Sequence, residues 1–188
     1  KVYDVTVTIS DTMATASQLF TIDVTDANDE PTFPSDVSRT VPENSIVGTL
    51  AGSSFAGSDI DTKPPWGTLQ YTIISGNTED VFEVAIAGNA ATIKVKKAAL
   101  NFEALNIYTL EVKVQDGGGL HDKGDVLVTV ADVNEPPTIA ESASFSVDEN
   151  AAMATSVGSP ISVSDPDAGQ LHAFELEPVS TQGNLLMI

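Results

Sequence analysis

Three short acidic motifs of this sequence occur twice, at a constant spacing of 106 residues. Turn-forming Pro, Gly and Asn stand beside these acids, so the acids lie in loops at the ends of apolar runs. Asp116, before Gly117, is a further loop acid, and Asp11 matches it at a spacing of 105 residues. Matches at nearly one spacing indicate an internal repeat. The motif pairs are Asp26–Pro31 with Asp132–Pro137, Pro42–Asn44 with Asp148–Asn150, and Asp59–Asp61 with Asp165–Asp167.

Carboxylates that gather at one end of a domain repel one another unless they share a cation. A ligand set made of oxygen atoms suits a hard cation, above all calcium, which takes roughly six to eight oxygens in a flexible geometry. The sequence has no Cys and only two His, His121 and His172, so zinc and copper are poor candidates. We therefore expect Ca²⁺ to be the metal at these motifs.

The charge balance excludes several classes of partner. The chain of 188 residues carries 8 basic and 27 acidic side chains, which gives a formal net charge of −19. Nucleic-acid binding is not expected, because affinity for phosphates comes from Lys and Arg. Anionic membrane surfaces are unfavourable for the same reason. No apolar run reaches the roughly 20 residues that span a bilayer, so membrane attachment would need an anchor outside this sequence.

Residue patterns within one repeat predict strands. Tyr108, Leu110, Val112 and Val114 alternate with polar residues, which is typical of a half-buried strand. Val126, Val128 and Val130 predict the next strand, and shorter candidates are Leu69–Ile74, Val81–Ile86 and Ala91–Val95. Lys96–Leu105 has a weak helical pattern, and we interpret it as an irregular or single-turn crossover. About seven short strands in about 100 residues predict a Greek-key β-sandwich.

The repeat period predicts one complete domain between two partial ones. We expect residues 1–25 to be the C-terminal strands of one repeat and residues 32–131 to be a complete repeat. Residues 138–188 are expected to begin a third repeat, and linkers 26–31 and 132–137 join the three. Both ends of the sequence fall inside repeats, so we expect it to be a fragment of a longer array.

The order of these motifs resembles the cadherin repeat: Pro-Glu-Asn, Asp-x-Asp, a Leu-x-x-Glu loop, Asp-x-Gly, then Asp-x-Asn-[Asp/Glu] before Pro. The resemblance covers essentially the whole chain. It implies an all-β fold of tandem seven-stranded Greek-key sandwiches, cadherin- or immunoglobulin-like, with calcium bound between consecutive domains. The segment Ser164–Gly169 is also similar to bacterial cadherin-like repeats, which suggests a bacterial adhesin or surface protein as one source.

Carried over by position, the resemblance implies two sets of calcium ligands. The first junction has Asp26, Asn28, Asp29, Asp59, Asp61 and Asp116. The two glutamates of the preceding domain would lie before Lys1, so we expect the calcium beside Asn28 and Asp116 to be retained best. Asn101 stands where the family has an acid, which removes one negative ligand from the second junction. The second junction has Glu43, Glu103, Asp132, Asn134, Glu135, Asp165 and Asp167.

The resemblance implies an extracellular or cell-surface module that calcium makes rigid, acting in adhesion or as a structural stalk or filament. Its partners would be adjacent repeats of the same chain and other cell-surface proteins or like molecules. An alternative is a carbohydrate-binding module in which polysaccharide stacks on Trp66, although aromatic residues are only 6% of the chain. An enzyme is not expected, because a catalytic carboxylate pair needs a cleft and these acids recur at every linker.

Overall fold

The computed structural model describes residues 1–139 and 144–176, and its contacts divide the chain into two units, Lys1–Ala131 and Asp132–Ile188. Part of the predicted third repeat therefore lies outside the described residues. In chain order, the described strands are β1 (Val2–Ser10), β2 (Thr15–Asp23), β3 (Val37–Pro42), β4 (Phe55–Ala56), β5 (Gln70–Ser75), β6 (Phe82–Ala87), β7 (Ala90–Val95), β8 (Ile107–Gln115), β9 (His121–Ala131), β10 (Thr138–Ile139) and β11 (Val163–Ser164).

Strands β3 to β9 form the predicted seven-stranded sandwich. One sheet has the order β3-β9-β8-β5 and the other has the order β4-β7-β6. Strand β3 pairs with β9 in parallel, whereas the other pairs are antiparallel. The chain thus crosses between the two sheets repeatedly, as in a Greek-key sandwich. The prediction of an all-β sandwich is confirmed.

The core lies between the two sheets and follows the alternation in the sequence. Along β8, Leu110, Val112 and Val114 are fully buried, and Glu111 and Lys113 between them are half-buried. The Phe82 ring packs edge-on against the Tyr108 ring at a centroid distance of 5.1 Å. Burial of these side chains on one face of each sheet fixes the register, because a slip of one residue would turn that face outward.

The sequence prediction located most strands to within one or two residues but missed β3 and β4. The segment Lys96–Leu105 contains bends and a turn rather than an α-helix, as the crossover interpretation expected. Within residues 1–139 and 144–176, the one helical element is the single 3₁₀ turn Thr78–Asp80. No helix in this part of the chain has the length and apolar character needed to cross a bilayer.

The hairpin of β1 and β2 forms a two-stranded sheet with an exposed surface on both sides. Its turn resembles that of the β8–β9 hairpin, because in both an aspartate carboxylate accepts backbone N–H groups from the turn. Asp11 Oδ1 accepts the N–H groups of Met13 at 2.9 Å and Ala14 at 2.7 Å. This shared geometry agrees with the sequence match between Asp11 and Asp116.

The second unit repeats a local feature of the first. Thr32 pairs with Ser58 in an antiparallel bridge, and 106 residues later Thr138 pairs with Ser164 in the strands β10 and β11. In both bridges the Thr hydroxyl donates to the Ser carbonyl, at 3.3 Å and 3.1 Å respectively. The bridge holds the segment after each acidic linker beside the Asp-x-Asp motif.

Candidate metal centre

Three loop segments of the first unit carry the first predicted ligand set. Asp26, Asn28 and Asp29 lie in the segment after β2, Asp59 and Asp61 follow β4, and Asp116 directly follows β8. The Thr32–Ser58 bridge and the end of β8 place these segments at one end of the sandwich. We call this set the first cluster.

Asp116 is the most strongly held carboxylate of the first cluster. Its side chain is buried, and Oδ1 accepts the backbone N–H groups of Gly118 at 2.9 Å, Gly119 at 2.6 Å and Leu120 at 2.9 Å. Its Oδ2 accepts Asn28 Nδ2–H at 2.7 Å. Burial raises the pKa of Asp116, but the hydrogen bonds from Asn28 and from the three N–H groups outweigh it and hold the pKa below the ordinary value.

Gly118 leaves room for the close approach of Asn28 to this turn. A Cβ atom on Gly118 would lie 2.7–2.8 Å from the side-chain amide atoms of Asn28, closer than van der Waals contact allows. The neighbouring Gly117 has a similar role, because its Cβ would lie 2.0 Å from the carbonyl oxygen of Pro65. The two glycines therefore let the linker and the loop after Asp61 reach Asp116.

Backbone N–H groups also orient the Asp-x-Asp motif. Asp61 N–H donates to Asp59 Oδ1 at 2.9 Å, which forms a turn closed by the aspartate side chain. Asp29 N–H donates to Asp61 Oδ2 at 2.9 Å, so the linker is tied to the motif. The Asp61 side chain is buried. These bonds fix the carboxylates in position before any cation is bound.

Two oxygen atoms of the first cluster are buried and accept no hydrogen bond. They are Asn28 Oδ1 and Asp59 Oδ2, which belong to two of the predicted ligands. A buried acceptor that lacks a partner costs free energy, typically about 1–3 kcal/mol and more for a charged group. Both atoms are hard oxygen donors, which is the ligand type that calcium prefers. The residues of the first cluster therefore fit a calcium ion.

A cavity of about 420 Å³ opens beside the first cluster. Asp26, Asp29 and Asp61 line it together with Trp66, the one Trp of the chain. Trp66 is partly buried there, so it is not a freely exposed aromatic platform. Its position gives the site a natural fluorescent reporter.

Two predicted ligands of the second junction lie in the first unit. Glu43 is buried, and its Oε2 accepts the N–H of Phe102 at 2.9 Å. A carboxylate oxygen of Glu43 lies within 4.8 Å of one of Glu103, so the structure brings these two acids together. Asn101 caps the local turn, because its Oδ1 accepts the N–H of Ala104 at 2.7 Å.

The second unit repeats the backbone hydrogen bonds of the first cluster. We call Asn134, Glu135, Asp165 and Asp167 the second cluster. Glu135 N–H donates to Asp167 Oδ2 at 2.7 Å, and Asp167 N–H donates to Asp165 Oδ1 at 3.0 Å. A carboxylate oxygen of Glu135 lies within 4.8 Å of one of Asp167. Asp132, also predicted as a ligand, is the exposed first residue of this unit.

Sequence reasoning missed two side chains at the second cluster. His172 Nε2 lies 2.6 Å from Asp165 Oδ2, and Gln170 Nε2–H donates to Asn134 Oδ1 at 2.9 Å. The hydrogen bond with His172 lowers the pKa of Asp165. The signal that could have found both is the 106-residue spacing, which places them opposite Pro64 and Trp66, near the first cluster.

Comparison with known proteins identifies the family. The family model described as Cadherin domain matches residues 37–131, just over half of the chain. The chain belongs to the cadherin domain family. It is therefore an all-β module of a family of adhesion proteins, and not an enzyme.

Individual relatives agree with this assignment. Human cadherin-related family member 2 is 31% identical over 134 residues, which cover 70% of this chain and 10% of that protein. Human protocadherin gamma-A2 is 34% identical over 155 residues, which cover 79% of this chain and 16% of that protein. The chain thus spans only a small part of these relatives. Both are human, and the bacterial source suggested by the sequence stays a prediction.

Solved structures share the fold. Protocadherin gamma B2 extracellular cadherin domains 3–6 match with a TM-score of 0.64 and 24% identity, covering 90% of this chain and 40% of that one. Protocadherin gamma B7 extracellular cadherin domains 1–4 match with a TM-score of 0.61 and 26% identity, covering 89% of this chain and 41% of that one. These cadherin and protocadherin relatives indicate an extracellular or cell-surface location.

The depressed pKa of Asp116 predicts acid sensitivity of the calcium-free chain. Asp116 stays ionised to lower pH in the folded chain than in the unfolded chain, so its stabilisation is complete above the unfolded pKa. That contribution is lost as the pH falls through the lower, folded pKa. Urea denaturation in calcium-free buffer at decreasing pH, starting at about pH 5, should show a smaller loss of stability in Asp116→Asn than in wild type. Asp36→Asn, which removes an exposed carboxylate of the same unit, serves as the control. Equal pH dependence in wild type and Asp116→Asn would contradict the assignment.

Proposed function

We propose that this chain is a calcium-rigidified module of a larger cell-surface protein that mediates adhesion or forms a stalk or filament. The observation that carries the proposal is the pair of buried oxygens, Asn28 Oδ1 and Asp59 Oδ2, that accept no hydrogen bond inside the first cluster. Such oxygens, held among carboxylates, are stabilised when a cation binds their lone pairs. Calcium supplies positive charge and room for several oxygen ligands at once.

At the first cluster, the proposed ligands are the six residues predicted from the sequence. The hydrogen bonds to Asp59, to Asp61 and to Oδ2 of Asp116 use only part of the acceptor capacity, because each carboxylate oxygen has about two acceptor positions. The remaining lone pairs are available to a cation. The proposed ligands are Asp26, Asn28, Asp29, Asp59, Asp61 and Asp116.

For the second junction, support comes from each unit separately. Glu43 and Glu103 approach each other in the first unit, and Asp165 and Asp167 in the second unit repeat the backbone hydrogen bonds of Asp59 and Asp61. We propose that calcium joins these sets across the linker. The proposed ligands are Glu43, Glu103, Asp132, Asn134, Glu135, Asp165 and Asp167.

We further propose the repeat organisation expected from the sequence, with residues 32–131 as the complete domain. The turn at Asp11 supports residues 1–25 as the last two strands of another repeat, and the Thr138–Ser164 bridge supports residues 138–188 as the start of a third. Linkers 26–31 and 132–137 would be the calcium-binding joints.

Shared calcium would stiffen such an array because acids of two domains and their linker bind the same ions. Without calcium these acids repel each other, so the linker is free to bend. A stiff array can present its domains to other cell-surface proteins or to like molecules, in addition to contacting its own adjacent repeats. Polysaccharide binding would require exposed aromatic side chains, and Trp66 is partly buried in the cavity beside Asp61. Adhesion is therefore the favoured function.

Terbium, a luminescent substitute for calcium, should report on the first cluster through Trp66. Excitation of Trp66 should give sensitised terbium emission that calcium competes away, because Trp66 and three proposed ligands line one cavity. Asp59→Asn removes a charged ligand and should weaken binding by about tenfold or more, whereas Asp36→Asn should bind like wild type. Trp66→Phe should lose the emission and keep calcium binding in calorimetry. Unchanged affinity in Asp59→Asn would overturn the first site.

Small-angle scattering tests the proposed stiffening separately. The radius of gyration should increase when calcium replaces EDTA, because bridged joints hold the chain extended. The double variant Asp59→Asn/Asp165→Asn should stay at the EDTA value in calcium. A radius of gyration that is the same in wild type with calcium and with EDTA argues against a calcium-stiffened array.

A further inference from the structure

The segment Ala168–His172, which we call the capping loop, differs from its counterpart in the side chains that it places beside the acidic motif. At the 106-residue spacing its counterpart is Thr62–Trp66, so Gln170 replaces Pro64 and His172 replaces Trp66. Pro has no side-chain donor, and Trp66 lines the cavity beside the first cluster. Trp66 has an indole N–H donor, but neither buried oxygen of the first cluster accepts a hydrogen bond from it.

Both donors of the capping loop contact counterparts of the two buried oxygens. Asn134 Oδ1, the counterpart of Asn28 Oδ1, accepts Gln170 Nε2–H at 2.9 Å. Asp165 Oδ2, the counterpart of Asp59 Oδ2, lies 2.6 Å from His172 Nε2. An ionised carboxylate only accepts hydrogen bonds, so His172 Nε2 carries the proton and donates it. The oxygens that stay unpaired at the first cluster are thus paired by protein at the second.

The second cluster keeps the backbone hydrogen bonds of the first, although Asn134 Nδ2–H donates to the Glu135 carbonyl at 3.2 Å whereas Asn28 Nδ2–H donates to Asp116. The N–H groups of Glu135 and Asp167 make the same bonds as those of Asp29 and Asp61, so the capping loop changes the pairing of two oxygens and leaves the frame intact. Between the two donors, Leu171 is fully exposed, and alternate side chains of the loop therefore face the cluster. Gly169, with φ of +81°, makes the left-handed turn after Asp167 that directs the loop back over it.

We propose that the capping loop closes the second cluster when calcium is absent and competes with calcium for Asn134 and Asp165. This inference rests on the proposed calcium-binding function. Calcium can bind these two oxygens only after Gln170 and His172 have released them. The apparent affinity is therefore the intrinsic affinity multiplied by the fraction of chains in which the loop is open. The Asp165 side chain is 5% exposed and that of His172 is 29% exposed, so the loop covers the carboxylate while remaining accessible itself.

The consequence is that two successive joints of one chain respond to different calcium concentrations. One hydrogen bond changes an equilibrium constant by between about twofold and tenfold, and a bond to a charged group by more. Two such bonds should raise the calcium concentration needed at the second cluster by about tenfold or more. The first joint would become rigid while the second still bends.

A calcium titration of the ¹⁵N-labelled whole chain separates the two clusters by NMR. The amides of Asp29 and Asp61 report on the first cluster, and those of Glu135 and Asp167 report on the second, because each is hydrogen-bonded to or part of the ligand set. In Gln170→Ala/His172→Phe, the midpoint at Glu135 and Asp167 should fall by about tenfold relative to wild type, with the midpoint at Asp29 and Asp61 unchanged. Leu171→Ala, in the same loop, should titrate like wild type.

The calcium-free spectrum shows whether the double variant keeps the fold of the second unit. If that fold is lost, two further variants test the same competition. Gln170→Ala alone should lower the second midpoint by about threefold, and His172→Gln, which keeps an N–H donor, should retain the wild-type value. An unchanged or higher second midpoint in the variants lacking donors would overturn the competition. Absence of any calcium response at Asp29 and Asp61 would instead overturn the proposed function itself.

Discussion

The structure depends on acidic and amide side chains that are drawn together at the end of a β-sandwich without enough donors to satisfy them. Asn28 Oδ1 and Asp59 Oδ2 are buried and accept no hydrogen bond, and the carboxylates of Asp61 and Asp116 are buried nearby in the same unit. Without a bound cation this arrangement raises the free energy of the folded chain, because buried polar and charged groups then lack partners. A shared divalent cation removes that cost, and it links stability to calcium by mass action.

The backbone prepares these side chains for a cation. Three N–H groups of the turn after β8 hold one oxygen of Asp116, and the N–H groups of Asp61 and Asp29 hold Asp59 and Asp61 in the same manner. The remaining lone pairs are left free to point at a ligand. Because the sandwich core fixes the strand ends, most of the conformational entropy of the site is lost when the chain folds. Little more is lost when a cation binds.

The sequence was sufficient for the fold because strong alternation along β8 and β9 leaves one consistent choice of buried face. Strand β4 was missed because two residues are too short for any period to appear. The grouping of Asp59, Asp61 and Asp116 was predictable from repeated motifs and a family resemblance. The contacts of Gln170 and His172 were not, because neither residue belongs to a repeated motif and side-chain contacts within a loop leave no periodic signal. Only comparison of the two repeats, residue by residue, exposes that difference.

Anomalous diffraction from a crystal grown with calcium is the most direct test of whether calcium binds at the first cluster. An anomalous peak is expected in contact with Asn28 Oδ1, Asp59 Oδ2 and the Asp116 carboxylate, at about 2.3–2.6 Å from each oxygen. A map with ordered water hydrogen-bonded to Asn28 Oδ1 and Asp59 Oδ2, and without a peak at saturating calcium, would contradict calcium binding there.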